Sequence, residues 1–300
     1  MSKGWNGRKP AGRIAYVDGR YVPHGNAGVH IEDRGLQLGD AVYEVFGVSG
    51  GRLMDEAEHL DRLERSLGEI EIVMPMPRNV LMLVMRELVR RNGVRDGLLY
   101  LQISRGVARR DHPIPKVALR PSLILTVRSV PPGEFGKRRQ DGVTVITRPD
   151  ERWGRCDIKT VQLLPNLLAK TAARRAGAYE AWLVDEAGLV TEGSSTNAWI
   201  VDGQGNLRTR PLSHDILPGV TRRVILEAAE AGQLPVVEEP FSVAETHSAR
   251  EAFISSATGV MPVTAIDGWP VGDGKPGPVT RRVQELYGLT SAGRAAKSGT

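Results

Sequence analysis

The chain has 300 residues, 41% of them hydrophobic and 5% aromatic, so it can bury a sizeable core, and about two domains are expected. With 34 glycines, 19 prolines and one cysteine, the composition excludes a coiled coil, a disordered chain and a disulfide-stabilised scaffold. The net charge of +5 raises nucleic acid as a partner. The basic clusters lack interleaved aromatic residues and nucleic-acid-binding motifs, so we interpret them as an ordinary basic surface.

The N-terminal segment MSKGWNGRKPAG is basic and glycine-rich, and no apolar region follows it. We therefore expect residues 1–12 to be flexible and not to form a signal peptide. No apolar run has the length of a membrane span. The single cysteine, Cys156, permits no intrachain disulfide and fits a reducing compartment, so a cytoplasmic protein is expected.

The first half of the chain predicts two hairpins, two helices and two buried strands. Turn signals such as Asp18-Gly19 mark the hairpins, and apolar residues at helical spacing mark the helices. These elements cover residues 13–23, 41–53, 55–70, 77–91, 97–106 and 121–130. Strands followed by helices and again by strands indicate a small α+β domain over residues 13–130.

The segment PPGEFGKRRQDG (131–142) breaks this periodicity, and we interpret it as an interdomain linker. Strands and helices alternate beyond it, which predicts a larger α/β domain over residues 143–287 and a flexible tail over 288–300. The predicted strands are 143–148, 179–185, 196–201, 234–240 and 251–257, and the predicted helices are 164–176 and 219–231. The fold class is therefore α/β (α+β), in two domains.

One lysine lies at the edge of an apolar run. In RCDIKTVQLLPNLLAK (155–170), Lys159 follows Ile158, and Val161 and four leucines lie beyond it. Burial disfavours the charged form of a lysine, and Schiff-base chemistry requires a neutral amine. For an isolated lysine, however, the commoner arrangement is a head group that reaches solvent past an apolar stem.

Two further segments have the composition of ligand-binding turns. LVTEGSSTNAWIV (189–201) predicts a strand, a hydroxyl-rich turn and a second strand, although ordinary hairpins share this composition. ILPGVTRRVILEAAE (216–230) predicts a helix after Pro218-Gly219, and any such helix start can bind an anion through its free N–H groups. No metal-ligand spacing or P-loop is present, so no metal is expected. Cys156 is interpreted as inert packing.

In their order along the chain, these segments resemble a known family. The matching motifs extend over residues 13–287 and are VDGRYVP, EDRGLQLGDAVYEV, HLDRL, SRG, RCDIKTVQLLPNLLAK, YEAWLVD, VTEGSSTN, ILPGVTR and MPVTAIDG. A series of this length is not a chance pattern. The chain resembles the fold-type IV pyridoxal-phosphate aminotransferases and, within them, the D-amino-acid (D-alanine) transaminases.

The resemblance implies a role for a residue in each motif. Lys159 corresponds to the lysine that forms the Schiff base with pyridoxal phosphate and then moves the substrate proton. Glu192 corresponds to the carboxylate that pairs with the pyridine nitrogen, which keeps the ring an electron sink. Arg62 corresponds to the arginine that binds the phosphate. The other cofactor-binding residues that the resemblance implies are Ser194, Ser195, Thr196, Leu217, Val220, Thr221, Ser256, Ala257 and Thr258.

The same resemblance implies how the substrate carboxylate is held. In D-amino-acid transaminases, a tyrosine acts with an Arg-x-His motif that is contributed across the interface of a homodimer. This chain has Tyr43 in VYEV, and Arg110 and His112 in SRGVARRDHP. A guanidinium binds a carboxylate in a forked geometry. Without the resemblance, ARRDH would be interpreted as a solvated loop.

The chain departs from the family pattern at three places. Arg109 adds a second arginine beside Arg110. The segment SSATGVMPV (255–263) is one residue shorter than usual, and Ala257 stands where a phosphate-binding threonine is frequent. LQLGDA (36–41) has leucines in place of the more usual aromatic residues. These differences concern the substrate range more than the reaction class.

The sequence therefore predicts a pyridoxal-phosphate-dependent transaminase that moves the amino group of a D-amino acid, such as D-alanine, to a 2-oxo acid, such as 2-oxoglutarate, by a ping-pong mechanism. Its alternatives are a branched-chain L-amino-acid aminotransferase, an (R)-amine transaminase or a lyase of the same fold. A remote alternative is a basic nucleic-acid-binding protein without catalysis. We expect small-molecule substrates and a homodimer, with neither nucleic acid nor membrane as a partner.

Overall fold

In the computed structural model, residues 12–131 and 133–297 are described, with only the backbone of residues 291–297. Two units, residues 1–130 and 131–300, each have their own internal contacts. The predicted flexible ends lie partly outside the described residues, because residues 1–11 and 298–300 belong to them.

An antiparallel sheet forms the first unit. Its strands in the described residues are β1 (Ile14–Val17), β2 (Arg20–Pro23), β3 (Ala41–Ser49), β4 (Arg52–Leu53), β5 (Gly97–Ser104) and β6 (Ser122–Ser129). They pair in the order β2-β1-β6-β5-β3-β4. Both predicted hairpins are confirmed, and the first turns through Asp18 and Gly19, which have positive φ angles of 45° and 96°.

The helices described in the first unit are α1 (Arg34–Leu38), α2 (Glu56–Glu69) and α3 (Arg78–Arg91). Helix α2 packs on β3, and α3 packs on β6 and β1. The predicted apolar stripe of α2 is confirmed at Leu60, Leu63 and Leu67, which are buried. Helix α1 was not predicted, because five residues are too few to show a period. Its signals are Asp33, whose Oδ1 accepts a hydrogen bond from Leu36 N (3.2 Å), and Gly39 in the left-handed region.

Strand β3 carries a charged residue on its buried face. Side chains alternate between the two faces of a strand, and Val42, Glu44, Phe46 and Val48 all point to the buried face of β3. Glu44 is completely buried. A carboxylate at this position requires partners inside the fold.

The second unit is built on a mixed sheet. Its strands in the described residues are β7 (Val143–Pro149), β8 (Glu180–Val184), β9 (Val190–Gly193), β10 (Asn197–Val201), β11 (Leu207–Thr209), β12 (Val236–Glu238), β13 (Glu251–Ser256), β14 (Gly259–Ile266) and β15 (Trp269–Pro270). They pair in the order β12-β11-β10-β13-β14-β7-β8-β9, with β15 added beside β14. The β11–β12, β14–β7 and β7–β8 pairs are parallel.

Helices cover this second sheet. Those described are α4 (Glu134–Asp141), α5 (Leu164–Arg175), α6 (Val220–Ala231), α7 (Val243–Thr246) and α8 (Pro278–Lys297). Helix α5 packs on β7 and β8, whereas α6 and α8 pack on each other and on β13. In the core that α6 and α8 share with this sheet, the rings of Trp199 on β10 and Phe253 on β13 stack with centroids 5.3 Å apart. The predicted α/β fold class is confirmed. None of the helices in the described part of the chain combines the length and apolar character of a membrane span.

The structure differs from the sequence interpretation at the linker and at the tail. The segment interpreted as a linker, 131–142, belongs to the second unit and holds α4, which packs on β14. Gly133 and Gly142, both with positive φ, lie at the two ends of this helix. Because most of its residues are charged, the sequence shows no apolar periodicity that would predict a helix. Helix α8 extends into the predicted tail as far as Lys297.

Replacing Gly288 by alanine tests whether α8 is helical where a flexible tail was predicted. Gly288 is exposed, and a Cβ there would contact no atom within 4 Å. Because glycine is disfavoured within a helix, we expect Gly288→Ala to raise the free energy of unfolding by about 0.5–1 kcal/mol in urea titrations. Gly268→Ala, equally open but at φ +83°, should lower it by about 1–2 kcal/mol. An unchanged unfolding midpoint for Gly288→Ala would contradict a helix at this position.

Candidate active site

Lys159 lies on the irregular segment between β7 and α5. The lysine is half-buried, and Ile158 and Thr160 on either side of it are buried. The leucines that follow do not form the buried environment that the sequence suggested. Leu164, Leu167 and Leu168 are 67%, 59% and 58% exposed, and their spacing places them on one face of α5.

Cys156 precedes Lys159 by three residues on the same segment. Its Sγ donates a hydrogen bond to the carbonyl of Trp153 (3.1 Å). Burial raises the pKa of Cys156 to about 12, with Arg152 opposing and Glu192 adding to the effect. A thiol with this pKa is protonated at neutral pH, which supports its interpretation as inert packing. Arg152, on the same segment, donates a hydrogen bond to Glu192.

Glu192, at the end of β9, is a buried carboxylate with partners on both oxygens. Its Oε1 accepts hydrogen bonds from Arg152 Nη1 and from Leu217 N (3.1 Å). Its Oε2 accepts one from Asn197 Nδ2 (2.9 Å), and the same amide group donates to the carbonyl of Leu217 (3.1 Å). Burial raises the pKa of Glu192, although Arg152 opposes the shift. A carboxylate in this environment gains from a further positive or N–H donor.

Arg152 links Glu192 to a second carboxylate. Its Nε and Nη2 donate to Asp150 at 2.8 and 2.7 Å, and Nη2 also donates to the carbonyl of Asp215 (2.8 Å). Burial disfavours the charge of Arg152, but the bonds to Asp150 and the charge of Glu192 raise its pKa above the usual value. The guanidinium therefore remains positive and fixes the orientation of Glu192.

The start of helix α6 lies next to this carboxylate. Among the described residues, no side chain caps the helix, whose N-cap is Gly219. A Cβ on Gly219 would overlap Asn197 Oδ1, so only glycine fits there. At the second position of the helix, Thr221 donates its hydroxyl to the carbonyl of Ser256 (2.8 Å). This bond joins the helix N-terminus, with its unsatisfied N–H groups, to the β13–β14 turn.

Segment 255–263, which the sequence interpretation expected to be one residue short, forms a tight hairpin. Ser256 pairs with Gly259, so Ala257 and Thr258 are the two turn residues. Ser256 Oγ accepts a hydrogen bond from Thr258 N (3.2 Å) and shares one with Thr258 Oγ1 (2.8 Å). From α4, Arg139 donates through Nε (3.1 Å) and Nη2 (2.5 Å) to the carbonyl of Thr258. The segment therefore closes with a two-residue turn.

A second buried carboxylate holds the hydroxyl-rich turn after Glu192. Glu180 accepts hydrogen bonds from the hydroxyls of Ser194 and Ser195 (2.6 Å for Ser195) and forms an ion pair with Lys170 Nζ (2.9 Å). Thr196 Oγ1 is buried without a hydrogen-bond partner in the described residues. An unsatisfied buried hydroxyl is unusual and is consistent with a ligand that supplies its partner.

In the first unit, Arg62 is fixed by Glu44. The guanidinium of Arg62 on α2 donates to both oxygens of Glu44, from Nε (2.7 Å) and Nη2 (2.8 Å). His59 Nδ1 shares a hydrogen bond with Glu44 Oε2 (2.8 Å). Burial alone would raise the pKa of Glu44, but Arg62 and His59 hold it well below the usual range. The predicted phosphate-binding arginine is therefore held by a buried ion pair.

The predicted carboxylate-binding residues lie on two elements of the first unit. Tyr43 on β3 stacks on Tyr100 of β5, with ring centroids 5.7 Å apart. Arg110 and His112 are exposed on the loop between β5 and β6. Among the predicted site residues, Leu217 N donates to Glu192 (3.1 Å). Thr221 donates to the carbonyl of Ser256, whose hydroxyl in turn bonds Thr258.

Sequence reasoning missed the residues that hold these groups. They are Glu44, Arg139, Arg152, Lys170, Glu180 and Asn197. Glu44 had a visible signal, because it interrupts the apolar face of an alternating strand. Arg152 had none, since it lies in irregular chain 40 residues from Glu192. The described residues contain no cluster of three or more His, Cys, Asp or Glu that could hold a metal ion.

Comparison with known proteins decides the family. The family model described as Amino-transferase class IV matches residues 41–266, which is more than half of the chain. The chain belongs to the class IV aminotransferases. The resemblance that the sequence motifs suggested is confirmed, and so is the prediction that the protein is an enzyme of this class.

Similar class IV aminotransferases include both curated proteins and solved structures. D-alanine aminotransferase of Bacillus licheniformis is 42% identical over 94% of this chain and 98% of its own length. The enzyme of the same name from Listeria monocytogenes is 40% identical over 90% of this chain and 93% of its own. The branched-chain amino acid aminotransferase of Escherichia coli superposes with a TM-score of 0.85 at 25% identity, covering 94% of this chain and 95% of its own. A T.th. branched-chain amino acid aminotransferase, solved in complex with N-(5'-phosphopyridoxyl)-L-glutamate, gives 0.82 at 26% identity, with coverage of 94% and 95%.

Replacing Gly219 by alanine tests the close approach at the start of α6. The added Cβ would displace Asn197, which bonds both Glu192 and Leu217. We expect Gly219→Ala to lower the free energy of unfolding by about 1–3 kcal/mol in urea titrations. The matched variant Gly203→Ala, where a Cβ would contact nothing within 4 Å, should remain within about 0.5 kcal/mol of the parent. Equal stabilities for the two variants would refute the close approach.

The raised pKa of Cys156 predicts slow alkylation. A thiol with a pKa of about 12 carries little thiolate at pH 8, whereas a free cysteine carries an appreciable fraction. We expect iodoacetamide to modify the folded protein at least ~100-fold more slowly than the same protein in denaturant, as followed by intact mass. Comparable rates in the two states would show that Cys156 is a reactive thiol.

Proposed function

We propose that this class IV aminotransferase is a D-amino-acid transaminase. It moves the amino group of a D-amino acid such as D-alanine to a 2-oxo acid such as 2-oxoglutarate and depends on pyridoxal phosphate. The D-alanine aminotransferases that match at 40–42% identity over at least 90% of the chain support the substrate class. The structural observation that carries the proposal is the Glu192 carboxylate, buried beside the Lys159 segment and held by Arg152, Asn197 and Leu217.

The residues present fit the pyridine nitrogen and the phosphate of pyridoxal phosphate. Glu192 Oε2 accepts a single hydrogen bond, so one of its lone pairs suits a protonated pyridine nitrogen. In the second unit, the start of α6 and the turn at Ser256–Thr258 are proposed to offer N–H groups to a phosphate. In the first unit, Arg62, which Glu44 holds, is the charged donor that the family resemblance assigns to the phosphate. The hydroxyls of Ser194 and Ser195 bond Glu180, so these residues act by fixing the turn beside the cofactor-binding residues. The buried Thr196 hydroxyl can donate a hydrogen bond to an acceptor on the cofactor.

Lys159 acts as the covalent partner of the cofactor and as the base. When bound, pyridoxal phosphate supplies an electron sink for the carbanion that forms when the substrate loses its Cα proton. Lys159 Nζ takes this proton, which requires a neutral amine. Lys159 is half-buried, and its neighbours Ile158 and Thr160 are buried. Two half-reactions of this kind, one on each substrate, give ping-pong kinetics.

Tyr43, Arg110 and His112 hold the substrate carboxylate. Arg110 supplies the forked guanidinium, and the phenol and the imidazole add hydrogen bonds.

Arg110 and His112 are exposed in the single chain, which fits a role completed by a second copy. We propose a homodimer, and the exposed leucines of α5 (Leu164, Leu167 and Leu168) support it, since an apolar helix face of this kind is usually covered. We also propose a cytoplasmic location.

A visible spectrum tests the proposal. We expect the purified protein with pyridoxal phosphate to show an absorbance band that Lys159→Ala lacks and that D-alanine bleaches, whereas L-leucine does not. Bleaching by L-leucine alone would assign the protein to the branched-chain aminotransferases, which its structural neighbours include. A band that resists both amino acids would refute the D-amino-acid assignment, and the absence of any band would refute the cofactor assignment.

A matched pair of variants tests the carboxylate-binding role. Arg109 and Arg110 are adjacent and both exposed, but only Arg110 has the proposed contact. A hydrogen bond to a charged group contributes about 1.5–3 kcal/mol, so Arg110→Ala should lower kcat/KM for D-alanine about 10- to 100-fold. Arg109→Ala should change it less than about threefold. The reverse order would assign the contact to Arg109, and unchanged kinetics in both would refute the role of this motif.

A further inference from the structure

The loop that carries Arg110 and His112 is long and irregular. It runs from the end of β5 at Ser104 to the start of β6 at Ser122, without a helix or strand in between. Its two ends approach closely, because a Cβ on Gly106 would overlap the carbonyl of Arg120. A loop of this length needs contacts with the rest of the fold to present its side chains in one geometry.

Arg34 supplies such contacts from the interior. It is the first residue of α1 and only 3% exposed. Its Nη1 donates to the carbonyl of Asp111 (2.8 Å) and its Nη2 to the carbonyl of His112 (3.3 Å). The two acceptors are the residue between Arg110 and His112 and His112 itself. One guanidinium therefore holds the backbone of the predicted Arg-x-His motif.

Arg34 is itself anchored. Its Nε donates to Asp40 Oδ2 (2.7 Å), and Asp40 also receives two bonds from Arg105 (2.7 and 3.0 Å). Arg105 in turn donates to the carbonyls of Ile70 (2.6 Å) and Glu71 (2.9 Å), at the end of α2. Burial would raise the pKa of Asp40, but Arg105 and Arg34 hold it below its usual value, so Asp40 stays charged. The chain of contacts ties the loop to the body of the first unit.

Helix α1 is docked closely enough to transmit this anchoring. A Cβ on Gly35 would lie 2.7 Å from Ser104 Cβ and 3.1 Å from Ala41 Cβ. Asp33 caps the helix and accepts a hydrogen bond from Ser104 Oγ (2.6 Å). Asp33 also bridges to Val107, and Ala108 N donates to the carbonyl of Glu32 (3.3 Å). The start of the loop and the helix are thus one local structure.

We propose that Arg34 is a positioning residue for the substrate-binding side chains Arg110 and His112. The inference rests on the proposed function, because it assigns the substrate carboxylate to these two residues. Arg34 does not touch the substrate. It fixes the two peptide groups from which the Arg-x-His side chains extend. Displacing these peptide groups would loosen the hydrogen bonds of the two side chains to the carboxylate, so the bonds of Arg34 govern the affinity for the substrate.

The test compares Arg34→Lys with Arg13→Lys. Lysine keeps the charge, but its single ammonium cannot reproduce the fork that reaches Asp40 and two carbonyls. Arg13 is a matched control, since its Nη2 donates to the carbonyl of Val127 (2.9 Å) in the same unit, away from the loop. Both variants are prepared as holoenzymes, with the absorbance band and the unfolding midpoint recorded.

Two measurements decide the inference. We expect Arg34→Lys to raise KM for D-alanine by about tenfold or more while kcat changes by less than about threefold, because the carboxylate contact and not the proton transfer is loosened. Hydrogen exchange at the amides of residues 107–112 should also accelerate by about tenfold or more in Arg34→Lys and not in Arg13→Lys.

The outcomes separate this inference from the proposed function. If the parent enzyme turns over D-alanine and Arg34→Lys leaves both KM and loop exchange unchanged, Arg34 is not a positioning residue, and the proposed function stands. A fall in kcat alone, with unchanged KM, would also overturn the inference. If the parent enzyme has no activity on D-alanine, the proposed function fails, and the inference fails with it.

Discussion

A charged side chain can be kept out of water only where an opposite charge or several hydrogen bonds replace the water that it loses, and the candidate site depends on this requirement. Four groups that carry or hold predicted site residues are fixed by buried or half-buried ion pairs. The pairs are Glu192 with Arg152, Glu180 with Lys170, Glu44 with Arg62, and Asp40 with Arg34. A geometry that separated the two partners would leave a buried charge unpaired, which is strongly destabilising. Each pair is therefore held in a narrow range of geometries.

These pairs prepare the site before any ligand is present. Glu44 points to the buried face of β3 and orients the guanidinium of Arg62, while Arg152 and Asn197 orient Glu192. Glycine at position 219 lets the start of α6 approach Asn197. A site whose polar groups are already oriented needs little rearrangement when a charged ligand binds, which is the condition under which electrostatic contacts contribute most to binding and catalysis.

In the proposed function, reaction class and substrate choice are carried by different parts of the molecule. The buried carboxylates and their partners suit the chemistry common to class IV aminotransferases, which is consistent with neighbours as distant as 25–26% identity that retain the fold. The residues that would select the substrate, Arg110 and His112, lie exposed on a loop. Leu36, on the short helix α1, is exposed as well. Loops on a rigid scaffold can change without loss of the fold, so a substrate preference can be altered there. The interior bonds of Arg34 show how such a loop is still given a defined geometry.

The sequence by itself determined the family through the order of its motifs. It also determined the hairpins and helices α2, α3, α5 and α6, because turn residues and apolar periodicity are local properties that a short stretch contains in full. It did not determine α8, the longest helix described. It did not determine α1, which has too few residues for a period, or α4, whose charged sequence resembles a linker. It named Glu192 and the Arg110 motif but not the arginines that hold them. Arg152 and Glu192 are 40 residues apart, and Arg34 and Asp111 are 77 apart. Contacts over such separations leave no periodic signal in the sequence. They are decided by the tertiary structure, which brings the partners within hydrogen-bonding distance in the interior, away from water.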